Sequence, residues 1–95
     1  MGKYEMRGRG LYDSHNRRIA IAKGKDIYDG TNRIVATIRG NNLYDSNNKK
    51  MMTVRDGEIF DARNARVASL SDAKESIEGA PTGMPLAALW YCFVR

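Results

Sequence analysis

The chain has few of the residues that carry chemistry or cross-link a small fold. Its 95 residues include one cysteine, one histidine, one tryptophan and two prolines. The single cysteine, Cys92, excludes an internal disulfide and fits a reducing compartment. The sequence offers no Ser-His-Asp or Cys-His arrangement, no metal-ligand spacing and no glycine-rich phosphate loop. The composition therefore argues against an enzyme.

Long apolar runs are also missing. The longest, residues 86–94, is far shorter than the ~20 residues of a membrane helix. The first ten residues are charged and glycine-rich, without the apolar stretch of a signal peptide. A hydrophobic content of 42% and a net charge of +5 fit one small globular domain over residues 1–95. We expect a soluble, cytoplasmic protein without membrane insertion, whose basic excess serves solubility or contact with a polyanion.

What the chain does have is a sixteen-residue period. Four copies follow one another without a gap, at residues 11–26, 27–42, 43–58 and 59–74. A unit of this size cannot bury a core alone, so the copies must pack against each other.

Each copy begins with an apolar residue and an aromatic residue, which an Asp-x-x-Asn quartet follows. Aspartate at the first position of a type I turn caps the turn with its carboxylate. Asparagine three residues later tolerates the left-handed backbone that closes a bulged hairpin. An alternating, β-branched strand comes next, and glycine or Asp-Gly returns the chain to the next copy. We predict four β-hairpins in series, with turns formed by Asp13, Asn16, Asp29, Asn32, Asp45, Asn48, Asp61 and Asn64.

The tenth position of each copy predicts how the hairpins are arranged. It is occupied mostly by a small side chain, in the series Ala20, Ala36, Met52 and Ala68. Small residues there suit strands that converge on a crowded axis. The N-terminal segment 3–8 matches a second strand in the same register, and a partial copy begins near Ser76. We therefore expect an all-β, closed pseudo-fourfold ring in which the two ends meet, which also protects the sheet edges.

The apolar C-terminal segment, residues 85–95, departs from the repeat. Thr82 as a cap, a proline near the first turn and apolar residues at helical spacing favour a short helix. Its aromatic and β-branched residues favour a buried strand instead. Both interpretations place the segment in the core, as the plug of the ring.

The iterated pattern apolar-Tyr-Asp-x-x-Asn-Arg/Lys-x-Val-Ala-x-Ile, with its small-residue and aromatic tail, resembles the bacterial β-flower proteins. The resemblance covers residues 8–94 and implies petal-like hairpins around a pseudo-rotational axis. Four copies match the fourfold form, and the extra strands at the ends leave a fivefold count open. Asparagine stands where family members usually carry glycine, and it meets the same backbone need. The resemblance implies no established activity, catalytic residue or cofactor. A more distant resemblance is to the tyrosine-aspartate repeats of bacterial toxin shells.

The recurrent aspartates and the two unique residues are the first candidates for chemistry. A calcium loop packs several carboxylates together, whereas each hairpin here offers one, so turn capping is the favoured interpretation. His15 is third in its quartet, at a turn tip, and Cys92 lies in the apolar tail, where a buried inert thiol is the default. We expect no catalytic, cofactor-binding or metal-binding residue.

Basic residues recur in register, and in a ring each set would form a circle of like charge. The sets are Arg7, Lys23, Arg39 and Arg55; Arg17, Arg33 and Lys49; and Arg18, Lys50 and Arg66. Such circles would bind a polyanion, either nucleic acid or an anionic glycan, with the tyrosines of the first three copies as stacking surfaces, namely Tyr12, Tyr28 and Tyr44. The alternative is that these residues form solvated strand faces, with the tyrosines packed between petals.

The favoured function is a non-enzymatic structural or protein-interaction module. The turn tips differ between copies while the framework is constant, and a fixed scaffold with variable tips is a common way to present a binding surface. The tips are Ser14-His15, Gly30-Thr31, Ser46-Asn47 and Ala62-Arg63. Polyanion binding is the alternative function.

Overall fold

A series of short strands makes up most of the protein in the computed structural model, which describes residues 4–94. The first nine strands are β1 (Tyr4–Arg7), β2 (Gly10–Tyr12), β3 (Arg18–Lys23), β4 (Asp26–Asp29), β5 (Ile34–Arg39), β6 (Asn42–Asp45), β7 (Lys50–Arg55), β8 (Glu58–Asp61) and β9 (Arg66–Ser69). They are followed by α1 (Leu70–Ser76), β10 (Ile77–Glu78), α2 (Met84–Leu89) and a π-helical segment (Trp90–Val94). Residue 3 of the predicted N-terminal strand and residue 95 of the C-terminal segment lie outside the described residues.

The strands within residues 4–94 form one sheet in the order β10-β1-β2-β3-β4-β5-β6-β7-β8-β9. Each strand from β1 to β8 pairs antiparallel with the next. β10 pairs parallel with β1, with Tyr4 opposite Ile77. The N-terminal strand therefore meets the segment near Ser76, as the sequence predicts.

The hydrogen bonding of the sheet does not run round a closed ring. β9 and β10 are the two ends of the strand order and do not pair with each other. The link between them is the chain itself, because β9 continues into α1 and α1 ends at β10. The expected closure through paired strands is thus replaced at this point by a helical connection.

The segment 70–76 differs from the sequence prediction, which ended the fourth repeat at residue 74 and began a partial copy near Ser76. It forms α1, and Ser69 is the N-cap. The Ser69 hydroxyl accepts a hydrogen bond from the Asp72 N–H at 3.1 Å, and the Asp72 carboxylate accepts one from the Ser69 N–H at 3.1 Å. This capping box satisfies two backbone donors at the start of the helix. The strand alternation runs up to Ser69 and hides the helix start.

The Asp-x-x-Asn turns owe their shape to local hydrogen bonds. In the second hairpin, Asp29 Oδ1 accepts the N–H groups of Thr31 and Arg33 at 2.8 and 3.0 Å. The Asn32 N–H donates to the Asp29 carbonyl at 3.1 Å, and Asn32 has a φ of 72°. The corresponding asparagines are also left-handed, with φ of 65° at Asn16, 67° at Asn48 and 69° at Asn64. The strand register shifts between the first residue of each copy and the aromatic residue after it, as at Leu11/Tyr12. Turn geometry is therefore repeated hairpin by hairpin.

The inward side chains of the hairpins pack with those of the C-terminal helix in one core. The first residues of the copies are fully buried, as are Ala20 and Ala36 at the tenth position. They form one cluster with four consecutive buried residues of α2, which are Leu86, Ala87, Ala88 and Leu89. Burial contributes about 1.5–3 kcal/mol for each large apolar side chain.

The C-terminal segment is helical, which decides between the two interpretations left open by the sequence. Its N-cap is Gly83, with a φ of 72° and no side-chain cap, so the expected cap at Thr82 is wrong. Pro85 lies in the first turn, where its missing N–H costs nothing. α2 contacts α1, β3 and β5. None of the helices within residues 4–94 has the length and hydropathy needed to span a membrane.

Candidate functional site

The strands have an outer face opposite the core. In β2, Leu11 is paired with Ala20 and is fully buried, whereas the side chain of its neighbour Tyr12 projects from the opposite side of the sheet. We call this side of the sheet the outer face. In each strand it contains the residues directly before and after the residues that face the core.

A cation lies over an aromatic ring at the same place in each hairpin. Each basic residue ends one strand, and the ring lies five residues later on the next strand. The distances from the cationic centre to the ring centroid are 4.6 Å for Arg7 and Tyr12, 5.6 Å for Lys23 and Tyr28, 4.9 Å for Arg39 and Tyr44, and 4.4 Å for Arg55 and Phe60. We call these pairs the cation–ring stacks. Each is worth about 0.5–1 kcal/mol at an exposed site.

The stacks change the role that the sequence suggested for the tyrosines. The rings are half-buried and the cations over them are exposed. A ring face that carries a cation is not open to a nucleic-acid base. The structure therefore presents ordered positive charge at these places rather than bare stacking platforms.

The second basic set lies apart from the stacks, at the Asp-x-x-Asn turns. Its members contribute backbone N–H groups to the turn carboxylates, as Arg17 does to Asp13 Oδ1 at 3.0 Å. This backbone hydrogen bond is the largest cause that lowers the pKa of Asp13 below its ordinary value of 3.8. The side chains of Arg17, Arg33 and Lys49 are exposed. The first and second of the three basic sets thus occupy different parts of the hairpins.

One part of the outer face gathers cations from several strands. A groove of about 350 Å³ crosses β1, β2 and β3, and we call it the first groove. Among the described residues, its lining consists of the four cations Arg7, Arg9, Arg18 and Lys23, together with Gly10, Tyr12, Ile21 and Asn32. The structure brings together Arg7 and Lys23 of the stack set and Arg18 of the third set.

Sequence reasoning missed Arg9 and Gly10 as parts of this cluster. Gly10 occupies the position that closes each later unit, where the chain has Asp26, Asn42 and Glu58. Those three residues bond to their neighbours: Asp26 to Thr37 at 3.2 Å, Asn42 to Thr53 at 2.7 Å and Glu58 to Arg66 at 2.8 Å. Extending the sixteen-residue register back to residue 10 would have shown the missing polar group.

The unique histidine and cysteine are separated from the first groove. His15 is exposed at a turn tip, and its N–H donates to Asp13 Oδ1 at 2.8 Å. Cys92 lies in the π-helical segment, where burial raises the pKa of its thiol to about 11. Within residues 4–94, histidine, cysteine, aspartate and glutamate form no cluster of three or more that could hold a metal ion.

Serial hairpins packed against a buried helix, with a repeated cationic outer face, define a small β-hairpin protein. The chain matches the family described as 4-fold beta flower protein over residues 9–89. The protein belongs to that family, which confirms the resemblance drawn from the turn pattern and its fourfold form. Comparison with curated proteins and with solved structures gives no match.

Proposed function

We propose that this protein is a non-enzymatic binding module that binds polyanions through the cations of its outer face. The observation that carries the proposal is the set of four cation–ring stacks, in which every cation is exposed and held over a ring. A cation that is already ordered loses less conformational freedom when it contacts a phosphate or sulphate. The net charge of +5 adds long-range attraction.

The chemistry of the remaining side chains supports a binding role rather than catalysis. The thiol of Cys92, with its pKa raised to about 11, is protonated at neutral pH and is a poor nucleophile. His15 lies at an exposed tip, where its backbone, not its ring, makes the hydrogen bond to Asp13. Neither residue has the paired environment that activates a nucleophile or base.

Because the ring faces are covered by cations, the proposed contact depends on the charge of the polymer and not on the identity of its bases. We therefore expect duplex DNA, single-stranded RNA and heparin to bind with similar dependence on charge density. If the protein contacts about three phosphates, its affinity for a single strand should fall by roughly tenfold or more as the salt concentration rises from about 50 to about 200 mM.

The test is a titration of these three polymers at both salt concentrations, with wild type and two variants. Arg39→Gln removes one stacked cation, and Lys74→Gln removes the same charge from the exposed surface of α1. Arg39→Gln should weaken binding and reduce the salt slope by about one contact, whereas Lys74→Gln should do so much less. Absence of salt-sensitive binding, or equal effects of the two variants, would refute the proposal.

A second candidate function is docking of a protein partner at the turn tips. Its support is that the tips are exposed, while each turn beneath them is held by carboxylate hydrogen bonds. Such a contact would respond weakly to salt. Exchange of the tip pair Ser46-Asn47 for Gly-Gly should abolish it and leave heparin binding unchanged.

We also propose that the hairpins surround a pseudo-fourfold axis that is closed by packing and not by strand pairing. The support is that the inward residues of the hairpins share one core with α2, and that α1 joins the two ends of the strand order. Amide hydrogen exchange tests this arrangement. Slow exchange throughout β9 would agree with a covered edge, and rapid exchange of alternate β9 amides would contradict it.

A further inference from the structure

The first groove differs from the equivalent places on the later hairpins because a polar partner is missing. At the fourth hairpin, Arg66 pairs with Glu58 at 2.8 Å. Arg18 occupies the corresponding position in the first hairpin, and there Glu58 is replaced by Gly10. Arg18 and Arg9 make no ion pair within residues 4–94. The substitution leaves Arg18 without the carboxylate that Glu58 provides for Arg66.

The floor of the groove also differs from its counterparts. Ile21 replaces the threonines Thr37 and Thr53, whose hydroxyls bond to the polar residue across the strand pair. Ile21 is 9% exposed but does not belong to the core cluster. The groove thus has an apolar floor under cationic walls, and few protein groups compete for those cations.

Two carboxylates next to the groove cations already have partners. Asp26, opposite Lys23 in the sheet, accepts a hydrogen bond from Thr37 on β5, the strand farther from the groove. Glu5 pairs with Arg7 at 3.0 Å, with both side chains about half exposed, and such surface pairs are weak.

An acidic hollow beside the groove limits the size of its ligand. That hollow is lined by Glu5, Asp13 and Glu78, and it shares Arg7 with the first groove. A long polyanion that continued past Arg7 would meet these carboxylates. The groove volume of about 350 Å³ is near the lower limit of small-molecule sites.

We propose that the first groove is a discrete binding site for a small ligand that carries adjacent phosphate groups. The arginine side chains offer planar, two-pronged donors that match phosphate oxygens, and Lys23 adds a point charge. The inference rests on the proposed function in one respect, since both assign anion binding to the outer face. It differs in ligand and in place, so the two are tested by different variants.

The first test is a titration with inorganic pyrophosphate at constant ionic strength. Binding is monitored by calorimetry and by the NMR chemical shifts of the Gly10 and Ile21 amides. Gly10→Asp restores the carboxylate seen at Asp26. The new Cβ would lie 3.1 Å from a ring carbon of Tyr12 and 3.2 Å from Arg18 Cδ, and both are parts of flexible side chains. Asn42→Asp makes the same charge change at the equivalent place of the third hairpin, on β6.

Wild type should bind pyrophosphate saturably, and Gly10→Asp should weaken the affinity by about tenfold or more. Asn42→Asp should change it less than about twofold. Equal weakening by the two variants, or no saturable binding by wild type, would overturn the inference.

A second matched pair of variants tests the inference even if Gly10→Asp does not fold. Arg18→Gln and Lys50→Gln remove one exposed charge each at equivalent positions. Of these two variants, only Arg18→Gln should weaken pyrophosphate binding, by about tenfold. Equal weakening by Arg18→Gln and Lys50→Gln would overturn the inference.

Polymer titrations on the same samples separate this inference from the proposed function. Heparin binding that persists without pyrophosphate binding would refute the discrete site and leave the polyanion proposal intact. Pyrophosphate binding sensitive to Gly10→Asp, without any polymer binding, would uphold the site and refute the polyanion proposal.

Discussion

The guanidinium of Arg39 lies over the ring of Tyr44, with its Cζ atom 4.9 Å from the ring centroid. The same relationship joins Arg55 to Phe60, where the ring has no hydroxyl group. The contact is therefore made with the ring face, whose negative electrostatic potential attracts a cation.

Arg39→Gln should lower the free energy of unfolding by about 0.5–1 kcal/mol through loss of this contact. Urea unfolding of Arg39→Gln, Tyr44→Leu and the double variant forms a cycle that isolates the pair. A coupling energy close to zero would show that the two side chains are neighbours without a stabilising interaction.

Ala36→Phe should destabilise the protein by about 1–3 kcal/mol, because Ala36 is 0% exposed and faces the shared core. Ala65→Phe is the matched control, since Ala65 is exposed at a turn and should tolerate the change. Thermal and urea unfolding provide the comparison. If both variants were as stable as wild type, the core would have room at Ala36, and tight convergence of the strands would be wrong.

Asn48→Val should cost roughly 1–2 kcal/mol of folding free energy, because Asn48 has a φ of 67° and a β-branched residue is strained in that region. Asn48→Gly should be neutral or mildly stabilising, since glycine adopts positive φ freely. Urea midpoints at equal protein concentration measure both. A clear loss of stability in the glycine variant would mean that the asparagine side chain, and not its backbone, supports the turn.

Stability should fall in acid through the turn carboxylates. The N–H of Arg33, the Thr31 hydroxyl and the Thr31 N–H lower the pKa of Asp29 below its ordinary value of 3.8. A carboxylate with a lowered pKa in the folded state stabilises the protein above 3.8, and that stabilisation is lost as the pH falls through the folded-state pKa.

Urea unfolding between about pH 6 and about pH 2.5 tests this expectation. Asp29→Asn keeps an oxygen acceptor at every pH, so its loss of stability in acid should be smaller than that of wild type. Identical acid profiles for the two proteins would show that Asp29 is not a source of the dependence.

The hairpins and turns were predictable because their determinants are local. Asp29 bonds to groups two and four residues away, and Asn32 needs only its own backbone conformation. Interactions over so short a distance are visible in any one copy of the sequence. The meeting of the two chain ends was also predicted, because β1 has the same register as the later strands.

Other features were missed or left open by the sequence. The start of α1 has a local signal, the capping box of Ser69 and Asp72, but the strand alternation that runs up to Ser69 hid it. The segment 85–95 fits a helix and a strand equally well in isolation. Its burial against α1, β3 and β5 makes the helical form the one that satisfies its backbone inside the core.

The sixteen-residue period by itself determined the sequence of hairpins, the left-handed asparagines and the family, because each unit encodes its own turn and its own alternation. Only the tertiary structure decided which cations lie over rings and which are gathered in one groove. Arg9, Arg18 and Lys23 meet there because the register of three strands brings them together. Gly10 leaves the first groove without a carboxylate. The effect of this missing group on the local charge depends on the cations that the neighbouring strands place around it.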